Sequence, residues 1–287
     1  MNAPRARRSV LFLPGDKPRT HEKARGLAAD GLIFDLEDSV APDAKEATRA
    51  QIAASLAAGG YGARELVVRV NGAGTSWQED DLRFAATQPI AAILLPKVDD
   101  PAQVRAAESI LDAAGAGADL AIWCMMETPL AFLNAAAIAA SSRRVGALVM
   151  GTEDLGKDLR TRKLPDRAAF ATALQLCVLA ARAHGLTPLD SVYADFGDAQ
   201  GFAAQCRQGR DWGFAGKTLI HPGQIGPAND AFGPSAQELD EARRIIAAFA
   251  AATAAGKGIA ALDGRMIEKL HVESAKALLA LAAATTP

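Results

Sequence analysis

Eight short runs dense in Val, Ile, Leu and Phe recur along the 287-residue chain, each followed by a stretch with helical spacing. They lie at 9–14, 31–38, 65–71, 91–98, 120–128, 145–151, 191–196 and 217–221. Most are almost continuously apolar, as in LIF, LVVRV, AILL and ALVM. Strands buried on both faces of a parallel sheet read this way, whereas half-exposed antiparallel strands alternate. Between the runs, 102–114 follows Pro101 at a helix start, and 167–184 ends at Gly185, a natural C-terminal cap. Eight βα units without a composition break predict a (β/α)8 TIM barrel. The competing architecture is a doubly wound sheet, which usually carries a G-x-G-x-x-G turn after its first strand. Here that strand ends in LPGD.

The surplus lies at the C-terminus. After a Gly/Pro-rich loop at 222–234, residues 235–255 read as a helix with Ser235 as N-cap and Glu238 completing a capping box. A small flexible link is expected at 256–264 and a second helix at 266–284. The predicted organisation is a barrel domain over 1–234 and a C-terminal helical extension over 235–287. Half of the residues are hydrophobic, enough for a core of this size. With 31 basic and 33 acidic side chains, no strong field favours nucleic acid. Arg5, Arg7 and Arg8 read as a solvated tail. Cys124, Cys177 and Cys206 form no metal-binding or paired pattern and are read as reduced thiols of a cytoplasmic protein. Neither an apolar signal core nor a membrane-length apolar run is present.

In such barrels the active site lies at the C-terminal ends of the strands. The polar residues expected there are Asp35, Glu37 and Asp38 on strand two and Arg69 and Asn71 on strand three. Strand four offers Lys97, strand five Glu127 and strand six the pair Glu153-Asp154. Strand seven offers Asp195, and strand eight Lys217 and His221. Buried charges are costly unless paired or metal-bound. Converging carboxylates suit a hard cation such as Mg²⁺, which takes one or two carboxylates and keeps other positions for water and substrate. Glu127 and Asp154 are about one βα unit apart, so their carboxylates can meet at one ion. A salt-bridge network tying the strand ends together explains the same composition.

RSVLFLPGD at 8–16, FDLEDSV at 34–40, VVRVN at 67–71, LLPKV at 94–98, METP at 126–129, GTEDL at 151–155 and KTLIHP at 217–222 resemble, in order, the citrate lyase β-subunit-like family. That family belongs to a wider group with the malyl-CoA lyases and related HpcH/HpaI aldolases. The resemblance implies a carbon–carbon lyase on a (β/α)8 barrel, with Mg²⁺ (or Mn²⁺) held by Glu127 and Asp154. Strand neighbours point opposite ways, so only one of Glu153 and Asp154 is expected to face the ion, and the family pattern favours Asp154. Arg69 is similar to the family arginine that holds the substrate carboxylate and the oxygen that becomes charged, a task suited to a planar fork. An ion pair from Arg69 to Asp35 or Glu37 is the structural alternative. Glu37 and Asp38 are expected to orient metal-bound waters or Arg69. Lys97 and Lys217 could form imines, but with a metal site they are read as structural or electrostatic.

The resemblance implies a 3-hydroxyacyl-CoA with a second carboxylate, such as malyl-, citramalyl- or citryl-CoA, cleaved to an acyl-CoA and a 2-keto acid. Relatives place an acid in a C-terminal G-x-M-I-D segment that closes over a neighbouring subunit's site, implying a homotrimer or homohexamer. Here the segment ends in Glu268, a longer side chain with the same acid–base chemistry, or else a helix N-terminal acid favoured by the dipole. Lys17 and Arg19, with Lys23 and Arg25 further on, could meet CoA phosphates or be solvated surface. The alternatives are a citrate lyase β subunit acting on an acyl-carrier-protein thioester, a free-acid aldolase, and a malyl-CoA thioesterase.

Overall fold

The computed structural model describes residues 5–162 and 164–285. Eight parallel strands close into a barrel in sequence order: β1 (Ser9–Pro14), β2 (Gly31–Asp35), β3 (Glu65–Arg69), β4 (Ala92–Leu95), β5 (Ala121–Met126), β6 (Val145–Met150), β7 (Thr187–Asp190) and β8 (Gly216–Leu219). β1 closes the ring on β8 through the register Ser9 to Lys217. Alternate residues fill the interior, among them Val10, Ile33, Val67, Leu94, Trp123, Val149 and Leu189. The intervening apolar residues are buried too, which is why the sequence runs lack alternation.

The seventh strand is the one misplaced by sequence pattern. Ser191–Phe196, expected as strand, is irregular chain, and the strand is Thr187–Asp190. Apolar pattern passes over a run holding Pro188 and Asp190. Asp190 is tolerated there because Arg167 and Lys217 satisfy its carboxylate.

Arg7 and Arg8 are not a solvated tail. Arg7 grips Glu65, the first residue of β3, through Nε at 2.6 Å and Nη2 at 2.8 Å, and donates to Thr187 Oγ1 at the start of β7 at 2.6 Å. Its guanidinium lies 5.1 Å from the centre of the Trp123 ring. The N-terminal end of the barrel is thus plugged by one arginine bridging the ring. Arg8 pairs with Asp30 at 2.8 Å.

By compactness, Arg7–Ala228 forms one unit, and Arg5 and Ala6 with residues 229–285 another. In the second unit the helix Ala236–Ala254 begins at Ser235, whose side chain and that of Glu238 form the expected capping box. The expected flexible link is instead a small antiparallel hairpin, β9 (Ala260–Leu262) with β10 (Arg265–Ile267). Its two-residue turn, Asp263-Gly264, has both φ angles positive, 50° and 74°, as the turn favoured for two-residue hairpins requires. The final helix consequently starts later than expected, at Lys269. No described helix is long and apolar enough to cross a membrane.

The plug leaves no room at Gly216, where a Cβ would stand 1.8 Å from the Arg7 carbonyl oxygen. We expect Gly216→Ala to cost about 1–3 kcal/mol, as overpacking does, seen as a Tm lowered by several degrees. Gly226→Ala, with nothing within 4 Å, is the control. Equal melting of the two variants would contradict the close approach.

Candidate active site

Asp35 and Arg69 end their strands in register, on the same inward face as Ile33 and Val67. Arg69 donates from Nε to Asp35 Oδ1 at 2.6 Å and from Nη2 to Oδ2 at 2.7 Å, a bidentate pair. Its guanidinium lies 4.9 Å from the centre of the Phe12 ring. Asp35 also accepts from the amides of Glu37 at 2.9 Å and Ser39 at 3.0 Å, so the chain leaving β2 curls around its carboxylate. Buried Lys45 fixes that curl by donating to the carbonyls of Leu36 and Glu37, each at 2.9 Å. Gly15 must be glycine here, since a Cβ would meet the Asp35 carbonyl at 2.3 Å.

Glu37 is thereby set against two cations. Its Oε2 lies 2.9 Å from Arg69 Nη1 without hydrogen-bond alignment, and its Oε1 accepts from Lys97 Nζ at 2.9 Å. Lys97 follows β4 in the left-handed region, φ 49°, which non-glycine residues seldom adopt. That turn aims its amide at Glu127, donating to Oε1 at 2.8 Å. The other oxygen, Oε2, lies over Gly151, where a Cβ would come within 2.7 Å of it and 2.5 Å of Glu127 Cβ. Gly151 opens the turn into the helix Thr152–Asp158, which carries Asp154 in its first turn.

Burial pushes the Asp35 carboxyl up, but the Arg69 charge and hydrogen bonds outweigh it and hold it below the usual carboxylate range. Burial raises Glu37, against the opposing pull of Arg69 and Lys97. Glu127 is pushed up to about 7, first by burial, then by the charges of Glu37 and Asp154, against the Lys97 amide. Among the described residues no side-chain cation pairs directly with its carboxylate, though the Lys97 charge also opposes the rise.

Other predicted residues fall elsewhere. Glu153 and Asp154 are not strand neighbours: both lie in the first helical turn, Glu153 exposed and Asp154 half-buried. Helix rotation, not strand alternation, separates them. Asp38 is mostly exposed, 3.7 Å from Arg69 Nη1. Lys17 and Arg19 are exposed after β1, Lys17 paired with Asp16 at 2.7 Å. Asn71 is structural, donating from Nδ2 to Asp81 at 2.6 Å and to the Leu36 carbonyl at 3.0 Å. Asp195 lies in the loop after β7. Lys217 is the second residue of β8 and fully buried against Asp190, away from the mouth. His221 caps the turn Pro222–Gln224 and stacks on Phe196 at 5.3 Å. Glu268 follows β10 in the C-terminal unit, half-buried, its amide donating to His271 Nδ1 at 3.0 Å. Sequence reading missed Lys45, the backbone role of Lys97 and the clearance at Gly151. The glycine that opens GTEDL, Gly151, was the one visible signal.

A closed parallel barrel with a net-negative cluster of acids and an immobilised arginine at its C-terminal mouth defines the class: a (β/α)8-barrel enzyme with its polar site at the strand ends. Residues 8–222 match the HpcH/HpaI aldolase/citrate lyase family, and the chain belongs to it. It is 50% identical over 277 residues to a (3S)-malyl-CoA thioesterase of Cereibacter sphaeroides, covering 96% of this chain and 95% of that one. It is 34% identical over 303 residues to an L-malyl-CoA/beta-methylmalyl-CoA lyase of the same species, covering 96% and 95%. Among solved structures it is similar to CitE of Mycobacterium tuberculosis in complex with magnesium, acetoacetate and coenzyme A. The TM-score is 0.77 and the identity 30%, over 96% of this chain and 97% of that one.

The raised Glu127 pKa fixes a sign. In the metal-free protein its stabilising contribution is complete below pH 4.5 and is lost as pH rises through about 7. Comparing Glu127→Gln with the parent in chelator, we expect the parent to lose on the order of 2–3 kcal/mol relative to the variant between pH 4 and pH 8. Denaturant titrations with a pH-independent difference would refute the burial.

Proposed function

We propose that the chain is a Mg²⁺-dependent enzyme that cleaves a carbon–carbon bond in a 3-hydroxyacyl-CoA bearing a second carboxylate, of the malyl-CoA type, giving an acyl-CoA and a 2-keto acid. The observation that carries this is the Glu127 carboxylate, buried and raised by the charges of Glu37 and Asp154, with the Lys97 amide donating to Oε1. Among the described residues no group of three or more ligating side chains exists. Two carboxylates, Glu127 and Asp154, with remaining positions for water and substrate, suit Mg²⁺ (or Mn²⁺). When bound, the ion supplies Lewis-acid polarisation and a template for the substrate's hydroxyl and carboxylate oxygens.

The protein's own groups do the rest. Asp35 locks Nε and Nη2 of Arg69, so the guanidinium plane is preset, and Nη1, which lies 2.9 Å from Glu37 Oε2 without hydrogen-bond alignment, is the nitrogen for a substrate carboxylate or a developing oxyanion. Glu37 keeps a buried oxygen without a hydrogen-bond donor, suited to a water or a substrate hydroxyl. Asp38 adds negative charge beside Arg69. Lys17 and Arg19 are the exposed cations beyond β1 for CoA phosphates. Glu268, supplied between subunits of a homotrimer or homohexamer, is the acid–base group for the acyl-CoA α-carbon.

A second reading, hydrolysis of the malyl-CoA thioester, is favoured by the similarity itself: 50% to a thioesterase against 34% to a lyase. Both reactions use the same metal pair and Arg69, and they differ in products.

Malyl-CoA, citramalyl-CoA and citryl-CoA assayed side by side, with and without Mg²⁺, separate them. Carbon–carbon cleavage releases a 2-keto acid and leaves the thioester intact; hydrolysis releases free CoA and no keto acid. Glu127→Ala and Asp154→Ala are expected to abolish Mg²⁺-dependent turnover in folded protein. Full activity of either would refute the metal assignment. Glu268→Gln is expected to slow proton exchange at the α-carbon, and unchanged exchange would remove Glu268 from the chemistry.

A further inference from the structure

A second buried charged cluster lies behind the sheet, where β7 and β8 meet the surrounding helices. Asp190 ends β7 with no exposure, and each of its carboxylate oxygens accepts from Arg167 Nη1, at 2.7 and 2.9 Å. Lys217, paired in register with Asp190, lies 3.3 Å from its Oδ2 and also donates to the carbonyl of Ser191. The Ser191 amide donates to Asp190 Oδ1 at 2.8 Å. Ser191 is therefore fixed through both its backbone groups, and its hydroxyl is aimed. That hydroxyl accepts from Thr152 Oγ1 at 2.9 Å. Thr152 is the first residue of the helix whose first turn carries Asp154.

The far side of the same helix is tied to the same cluster. Arg167 reaches Asp190 from the chain beyond the helix, in a left-handed conformation at φ 55°, and its Nε donates to Gln208 at 2.7 Å. Gly156, inside the helix, lies against the Phe170 ring, where a Cβ would stand 3.1 Å from Cζ. All five members, Thr152, Arg167, Asp190, Ser191 and Lys217, are buried, so solvent neither screens nor replaces these bonds.

We propose that Thr152 and Ser191, held by Asp190, Lys217 and Arg167, are positioning residues that set the helix turn bearing Asp154 at the geometry a divalent cation needs. This rests on the reading of Asp154 as a metal ligand. Partners that orient a metal ligand typically contribute 10–100-fold in metal affinity. A bond that only held the barrel together would change melting and leave metal affinity alone.

The test is Mn²⁺ binding to the full chain, followed by electron paramagnetic resonance, with melting recorded in parallel. Thr152→Val, which removes the hydroxyl at nearly constant shape, is expected to weaken Mn²⁺ binding about 10-fold. Thr152→Ser is expected to stay within about two-fold, since it keeps the donor. Ser191→Ala provides the same loss from the other partner, and the double variant should be no worse than either single one, because they share one bond. Asp154→Asn serves as the reference and is expected to lose Mn²⁺ binding. If Asp154→Asn loses it while Thr152→Val and Ser191→Ala bind as the parent does, the positioning role is overturned and the metal assignment stands. If Asp154→Asn itself binds as the parent does, both are overturned.

Discussion

The bidentate pair between Asp35 and Arg69 is the contact on which the mouth of the barrel depends. Neither group is tolerable there alone: removing one member of a buried pair typically costs 3–5 kcal/mol because the other is left uncompensated. The pair has consequences beyond itself. Asp35 gathers the amides of Glu37 and Ser39, which turns the chain after β2 inward. Glu37 then meets Lys97, and the turn at Lys97 aims its amide at Glu127. A single register match between β2 and β3 thus sets, link by link, a carboxylate three strands away.

Much of this was legible in the sequence because parallel barrels impose simple rules. Continuous apolar runs marked seven strands within a few residues, and polar residues at their ends marked Asp35, Arg69, Lys97 and Glu127. The failures share a cause: they involve charges or glycines whose partners are distant in sequence. Asp190 concealed β7, since nothing local shows that Arg167 and Lys217 will neutralise it. Arg7 looked like a tail residue because Glu65 and Thr187 become its neighbours only on closure of the ring. Asp263-Gly264 was a readable hairpin signal, obscured by strands of only three residues each, the first of them Ala and Leu with weak β preference.

The pair Glu153 and Asp154 is more instructive, since the expectation that one of them faces away rested on strand alternation. Strand alternation does not apply in a helix. Successive residues there differ by about 100°, which leaves Glu153 exposed and Asp154 half-buried, where its charge adds to the burial that raises Glu127. The decisive residue is Gly151. Only there, without a Cβ, can the chain leave β6 beneath the Glu127 carboxylate and enter the helix at once.

The two buried charge clusters use the same chemistry to opposite ends. At the mouth, Asp35, Glu37 and Glu127 face Arg69 and Lys97, with Asp38 and Asp154 adding negative charge. That excess of acid is what the proposed divalent cation would offset. Behind the sheet, Arg167 and Lys217 share Asp190, and the surrounding side chains seal the cluster. Burial pulls the Lys217 ammonium down, with Asp190 opposing and Arg167 adding to the pull. A sealed cluster whose polar contacts run to Ser191 and Gln208 is suited to rigidity rather than to binding. Its link to the mouth is the Thr152 hydroxyl, which joins a rigid cluster to the turn carrying Asp154. The division follows from the fold: inward faces of the strands open at the C-terminal rim, and outward faces are closed by helices.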